Sequence, residues 1–143
     1  MLPKIPIQNP NTYSPLSLAF LGDAVYGLLV REQLLLAANR PARHLHTLSV
    51  QAVNARAQAE AVKKIMPMLT DAELAVYKRG RNANPGHTPK NQSEGDYHSA
   101  TGLEALFGWL YLQGAEERLR ALFDRIQDDG DEDFASGGEK TNR

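Results

Sequence analysis

An all-α fold is what this sequence predicts, and three observations carry that reading. The apolar run from Leu16 to Leu36 shows no strand-like alternation, the stretch after it repeats apolar residues every three or four positions, and recognisable start signals precede two of the segments. Ser14-Pro15 is the first such signal, with serine as N-cap and proline at the first helical position. The helix it opens is apolar nearly all round, which predicts the central, buried element. A turn at Asn39-Arg40-Pro41 leads into a second helix, in which Leu48, Ala52, Ala55, Ala59, Val62 and Met66 form a narrow, alanine-rich packing face that ends at Pro67. Thr70-Asp71-Ala72-Glu73 reads as a capping box opening a short helix through Tyr77 and Lys78, with Gly80 as its stop. Arg79 to Tyr97 reads as one long loop, and loops of that length in a compact domain are more often functional or disordered than filler. A last long helix begins near Ser99, Gly114 breaks it, and Ala115 to about Gln127 forms a final amphipathic helix. The chain thus divides into a helical domain, residues 1–127, and an acidic tail, 128–143, with the composition of a disordered segment.

Composition narrows the classes of function. At 143 residues, 42% hydrophobic and 23% charged, the sequence fits one soluble domain. It has no cysteine, which removes disulfides, thiolate zinc sites and thiol nucleophiles together and favours a reducing compartment. The proline-rich start is no signal peptide, and no apolar stretch approaches the ~20 residues that span a bilayer. The expected location is cytoplasmic, away from membranes. The net charge of −1 hides an asymmetry: Arg31 to Lys90 holds ten Lys or Arg against four acids, whereas Asn91 to Arg143 holds five against twelve. Such a division suggests a basic binding surface for a nucleic acid and a solvated acidic tail, although basic residues that only solubilise exposed helix faces would give the same count.

Two acids stand inside otherwise apolar helical segments. Asp23 lies in Leu18-Ala19-Phe20-Leu21-Gly22-Asp23-Ala24-Val25-Tyr26, and Glu104 in Gly102-Leu103-Glu104-Ala105-Leu106-Phe107-Gly108-Trp109. Neither segment offers a basic neighbour. An ionised carboxylate out of water and without a partner costs several kcal/mol, so a cation must meet it or it must protonate. A divalent metal is the leading candidate, and a bond to a hydroxyl or a backbone amide is the alternative. Glycines beside both acids, Gly22 and Gly108, cost roughly 1 kcal/mol each in a helix interior and suggest that two helices approach closely. Together these features predict one shared site.

These residues also carry a resemblance. Leu21-Gly22-Asp23-Ala24-Val25 resembles the signature of the ribonuclease III catalytic domain, and the segment from Leu103 to Leu112 resembles its second acidic motif. Arg79-Gly80-Arg81-Asn82-Ala83, Thr88-Pro89-Lys90-Asn91 and Lys140-Thr141-Asn142 are similar to the Mini-ribonuclease III family, bacterial enzymes that consist of the catalytic domain alone. The resemblance implies the all-α ribonuclease III endonuclease fold, a homodimer, and Mg²⁺-dependent cleavage of double-stranded RNA at the ends of pre-23S ribosomal RNA. It implies Asp23 and Glu104 as catalytic and metal-binding residues, and it admits a ribosomal protein or a pre-50S particle as a further partner. The 16 residues after Gln127 are too few for a separate RNA-binding domain. Grip on RNA is therefore expected from Arg79, Arg81, Asn82, Lys90 and Asn91, whose chemistry suits phosphates and 2′-hydroxyls; a solvated linker that touches nothing is the alternative.

The wider ribonuclease III pattern has four acids, and Ala19 and Thr101 stand where the other two would be. Weak metal affinity without RNA follows, and the number of ions stays open. Glu94 and Asp96 precede the second motif, but neither is assigned to the site. His44, His46, His87 and His98 have no metal-ligand spacing as a set and read as surface or loop residues, while Phe107, Trp109 and Tyr111 read as core or dimer interface. A non-catalytic helical module that binds structured RNA or ribosome-assembly proteins is the second reading.

Overall fold

Serine and proline start the first helix as expected. This computed structural model describes residues 9–83, 88–90 and 92–128, and it is helical, with no strand among those residues. Helix α1 (Pro15–Ala37) is capped by the Ser14 hydroxyl, which accepts from the Ser17 amide. The second predicted helix is in fact two, α2 (Ala42–Val53) and α3 (Ala55–Ile65). Asn54 makes the break. It is extended, accepts the Ala57 amide on its side-chain oxygen, and donates its own amide to the carbonyls of Val50 and Gln51. One side chain thereby satisfies the end of one helix and the start of the next, a competition with the backbone that favours asparagine at boundaries.

The capping box at Thr70 and Glu73 forms as predicted and opens α4 (Asp71–Asn82). Gly80 does not stop this helix, which runs two residues beyond it. The glycine is buried against α5 (Glu94–Leu112), where a Cβ would come within 2.7 Å of the Ala105 methyl and 3.0 Å of the Gly102 Cα, so it serves close packing. Helix α5 begins five residues before the predicted Ser99, capped by the Ser93 hydroxyl on the Asp96 amide, with Glu94 and Asp96 favourably placed in its first turn. The predicted long loop is correspondingly shorter at both ends. Gly114, at φ 70°, breaks the chain before α6 (Glu116–Gln127). Residues 129–143, most of the predicted tail, lie outside the described residues, as do His87 and Asn91.

The central element is α5, not α1. From Ala100 to Leu110 every residue of α5 is buried except Glu104, with α1, α3, α4 and α6 packed around it. Phe107 belongs to this core, meeting Tyr26 edge to face at 5.2 Å, while Trp109 donates its indole N–H to the Asn11 side chain and ties down the N-terminal turn. Helix α1 buries one face, through Leu18, Gly22, Val25, Tyr26 and Leu29, and exposes the other. Phe20 is 85% exposed and Leu36 78%, with Leu28 and Leu35 also open to solvent. An all-round apolar pattern cannot distinguish burial by the same chain from burial by another. Among the described residues no helix is long and apolar enough to cross a membrane.

Candidate active site

The two acids meet because two helices cross at glycine. A Cβ built on Gly22 would land on the carbonyl oxygen of Glu104, and one on Gly108 would land on the carbonyl oxygen of Leu18. Only hydrogen at both positions lets α1 and α5 touch backbone to backbone. Asp23 follows Gly22 directly, so this crossing sets its side chain beside that of Glu104, near enough for its charge to act on the Glu104 carboxyl.

The two carboxyls differ in surroundings. Asp23 is exposed, contrary to the burial that its apolar neighbours suggested, because it stands at the edge of the α1 face that α5 does not cover. Glu104 is half-buried, and its pKa is pushed up to about 8, first by burial and then by the Asp23 charge. The Tyr26 hydroxyl is held above the ordinary phenol range, mainly by burial and further by Glu104. None of the ion pairs among the described residues engages Asp23 or Glu104. Two acids therefore face one another without a compensating cation from the protein, and without one Glu104 keeps its proton well above the ordinary carboxylate range.

A third residue was not foreseen. Gln58 of α3 is 1% exposed, and its amide lies against the Glu104 carboxyl closely enough to favour the ionised form, yet its Nε2 completes no hydrogen bond. The signal was available in the sequence, since residue 58 shares the buried register of Ala55, Ala59, Val62 and Ile65 on α3. Its partner was not. No cluster of three or more His, Asp or Glu able to hold a metal forms among the described residues. Glu94 and Asp96 stand ten and eight residues before Glu104, roughly 15 and 12 Å back along the helix, too far to join it. Ala19 and Thr101 are buried, and the Thr101 hydroxyl donates to the Tyr97 carbonyl within its own helix. His44 and His46 are exposed on α2, and His98 is half-buried on α5.

The basic residues predicted in the loop divide between two places. Arg79, Arg81 and Asn82 form the last turn of α4, where the Arg81 guanidinium stacks over Tyr77 at 5.7 Å and its Nε donates to Asn82. Lys90 is exposed in a described turn. Gly80 packs against Thr101, Gly102 and Ala105, so the basic end of α4 sits beside the turn of α5 that carries Glu104.

Similarity to known proteins gives the class of this fold and site. The ribonuclease III domain family matches residues 16–115. A "Mini-ribonuclease 3" from Thermoanaerobacter sp. is 46% identical over 111 residues, 78% of each chain, and one from Symbiobacterium thermophilum is 43% identical over 122 residues, 85% of this chain and 94% of that one. A crystal structure of a Fusobacterium nucleatum protein superposes with a TM-score of 0.75 at 33% identity, covering 81% of this chain and 89% of the other. The chain belongs to the ribonuclease III family, in its Mini-ribonuclease 3 branch, and is an endoribonuclease of that family.

Proposed function

We propose that the chain cleaves double-stranded RNA with Mg²⁺ held by Asp23 and Glu104. The observation that carries this reading is the pair itself: two carboxyls brought together at the α1–α5 glycine crossing, one of them pushed up to about 8, with no cation of the protein paired to either. The donor set suits the ion. It consists of oxygens only, with no thiolate and no imidazole, and Mg²⁺ is commonly held by one or two carboxylates together with waters and substrate phosphates. The unpartnered Nε2 of Gln58 adds a neutral donor that can hold a ligating carboxylate without competing for the metal.

When bound, Mg²⁺ supplies a more acidic water and positive charge beside the leaving 3′ oxygen. The residues do the positioning. Asp23, exposed, is reachable by a phosphodiester, while Glu104 is half-buried on the central helix, enclosed by α1, α3, α4 and α6. Arg79, Arg81, Asn82 and Lys90, with Asn91 beyond the described residues, contact phosphates and 2′-hydroxyls and so recognise the duplex by shape rather than by base. The helical domain 1–127 suffices for this work.

A duplex has two strands and each protomer one acid pair, so a homodimer with two-fold symmetry supplies both cuts. Its interface is the exposed face of α1, where Phe20, Leu28 and Leu35 remain uncovered. The natural substrate is the duplex at the ends of pre-23S ribosomal RNA in the cytoplasm, as the Mini-ribonuclease III resemblance implies, with a ribosomal protein or a pre-50S particle as its setting. Incubation with long duplex RNA tests the reading directly. Cleavage is expected with Mg²⁺ and not with EDTA, Asp23→Asn is expected to bind RNA without cutting it, and sedimentation is expected to give a dimer. Wild-type protein inert at millimolar Mg²⁺ would overturn it.

A further inference from the structure

Gln58 occupies a place where chemistry argues against a polar side chain. It lies three residues after Ala55 and four before Val62 on the packing face of α3, with Ala59 and Ile65 on the same face. At 1% exposure its amide has no access to bulk water. Buried amides are retained where their donors are accepted, and an unmet donor lowers stability. The Nε2 of Gln58 is such a donor. Helix α3 packs against α5, and the Gln58 side chain lies near enough to the Glu104 carboxyl to favour its ionised form.

An amide suits that place better than the alternatives. Lysine or arginine would bring a positive charge that competes with a metal for the carboxylate, and a hydroxyl on α3 would be too short to reach α5. Glutamine is neutral and long, and Nε2 is a donor that a carboxylate oxygen can accept. A carboxylate that holds a metal through one oxygen leaves the other free, and partners on that second oxygen orient such ligands. The requirement is sharper here than in a site with many acids, because only Asp23 and Glu104 come together among the described residues.

We infer that Gln58 is a positioning residue for the nuclease site: its Nε2–H donates to one oxygen of ionised Glu104 and turns the other toward the space shared with Asp23. This inference rests on the reading of Asp23 and Glu104 as the metal pair. Gln58 does not touch RNA or the ion. It acts through Glu104.

The test is Gln58→Met, close to glutamine in length and volume but without a donor. Its metal-free melting temperature is expected to equal or exceed that of the wild type, because an unmet buried donor is removed. The Mg²⁺ concentration for half-maximal cleavage of duplex RNA is expected to rise about tenfold, with activity recovered at excess Mg²⁺. A second readout needs no RNA: the rise in melting temperature that millimolar MgCl₂ gives the wild type, against KCl of equal ionic strength, is expected to shrink in the variant. A variant with the wild-type Mg²⁺ requirement and the wild-type melting response overturns the inference and leaves the metal pair standing. A wild type that neither cuts nor responds to Mg²⁺ overturns the metal pair and this inference with it. Should Gln58→Met fail to fold, Gln58→Asn, which withdraws the amide by one methylene, decides by the same two measurements.

Discussion

Glu73 and Glu104 are both glutamates on helices that pack against each other, and they are treated in opposite ways. Glu73, on α4, is 5% exposed and fully partnered: Arg118 of α6 grips both of its oxygens at 2.8 Å, and the Thr70 amide donates to one of them at 2.9 Å. Hydrogen bonding from Arg118 is the main reason its carboxyl is held below the ordinary range. Glu104, on α5, is less buried yet is pushed up to about 8, because burial is joined by another acid instead of a base. The first is a strut that fastens α6 to α4, helped by the bond from Arg118 to the Met68 carbonyl. The second carries a stability cost that the fold alone does not require, which marks it as a site.

The most severe way to break this contrast is to destroy the crossing that makes Glu104 face Asp23. Gly22→Ala places a methyl on the Glu104 carbonyl, with backbone on every side and nothing able to yield. It is expected to cost about 3 kcal/mol or more and to abolish cleavage, read by urea denaturation and a duplex assay. Gly80→Ala, at the second glycine crossing, meets the Ala105 methyl at 2.7 Å and is expected to cost about 1–3 kcal/mol while leaving the acid pair intact.

Removing one partner at each glutamate sharpens the comparison. Arg118→Ala strands Glu73 and is expected to cost about 2–4 kcal/mol, with the protein still cutting RNA at temperatures where it stays folded. Glu104→Gln is expected to do the reverse, raising the metal-free melting temperature while cleavage disappears.

The two glutamates also predict opposite dependence on pH. Glu73 has a folded pKa below its unfolded value, so its stabilisation is present above that unfolded value and is lost as pH falls through the folded one. Glu104 has a folded pKa of about 8 against an ordinary 4.5, so the folded state holds the proton between them. Its contribution is fully present below about 4.5 and is lost as pH rises toward 8. Asp23, Tyr26 and Gln58 are the groups that face it, and of these Asp23 supplies the opposing charge. Metal-free melts between pH 5 and pH 8 should therefore show the advantage of Glu104→Gln over wild type growing with pH. A constant difference would contradict the assigned shift. The smallest effect is expected at the basic residues: alanine at Arg79, Arg81 and Lys90 should weaken RNA binding and reduce its salt dependence by about one counterion per lost contact.

Local signals in this sequence were legible because they act over three or four residues. Ser14-Pro15, the capping box at Thr70 and the break at Gly114 all formed where expected. Asp23, Glu104 and their glycines were legible as well, because acids and glycines both lower the stability of apolar helices and need a reason to be there. Signals with two physical meanings misled. Gly80 reads as a helix stop or as a close approach, and only the neighbouring α5 decides. Asn54 interrupts a face whose apolar spacing continues across it, so periodicity alone joins α2 to α3. The exposure of Phe20 and the partner of Gln58 depend on what faces them in space, which spacing along the chain does not contain.

If Asp23 and Glu104 face each other in order to hold a catalytic cation, a paired measurement on Asp23→Asn and Glu104→Gln shows it. Each variant is melted without metal and then assayed on long duplex RNA at millimolar Mg²⁺. Melting temperatures at or above the wild type are expected, because a neutral amide ends a conflict that the metal-free acids relieve only by retaining a proton, together with loss of cleavage and retained RNA binding. Variants that melt several degrees lower and still cut RNA would contradict it, making the pair a structural feature of the α1–α5 crossing.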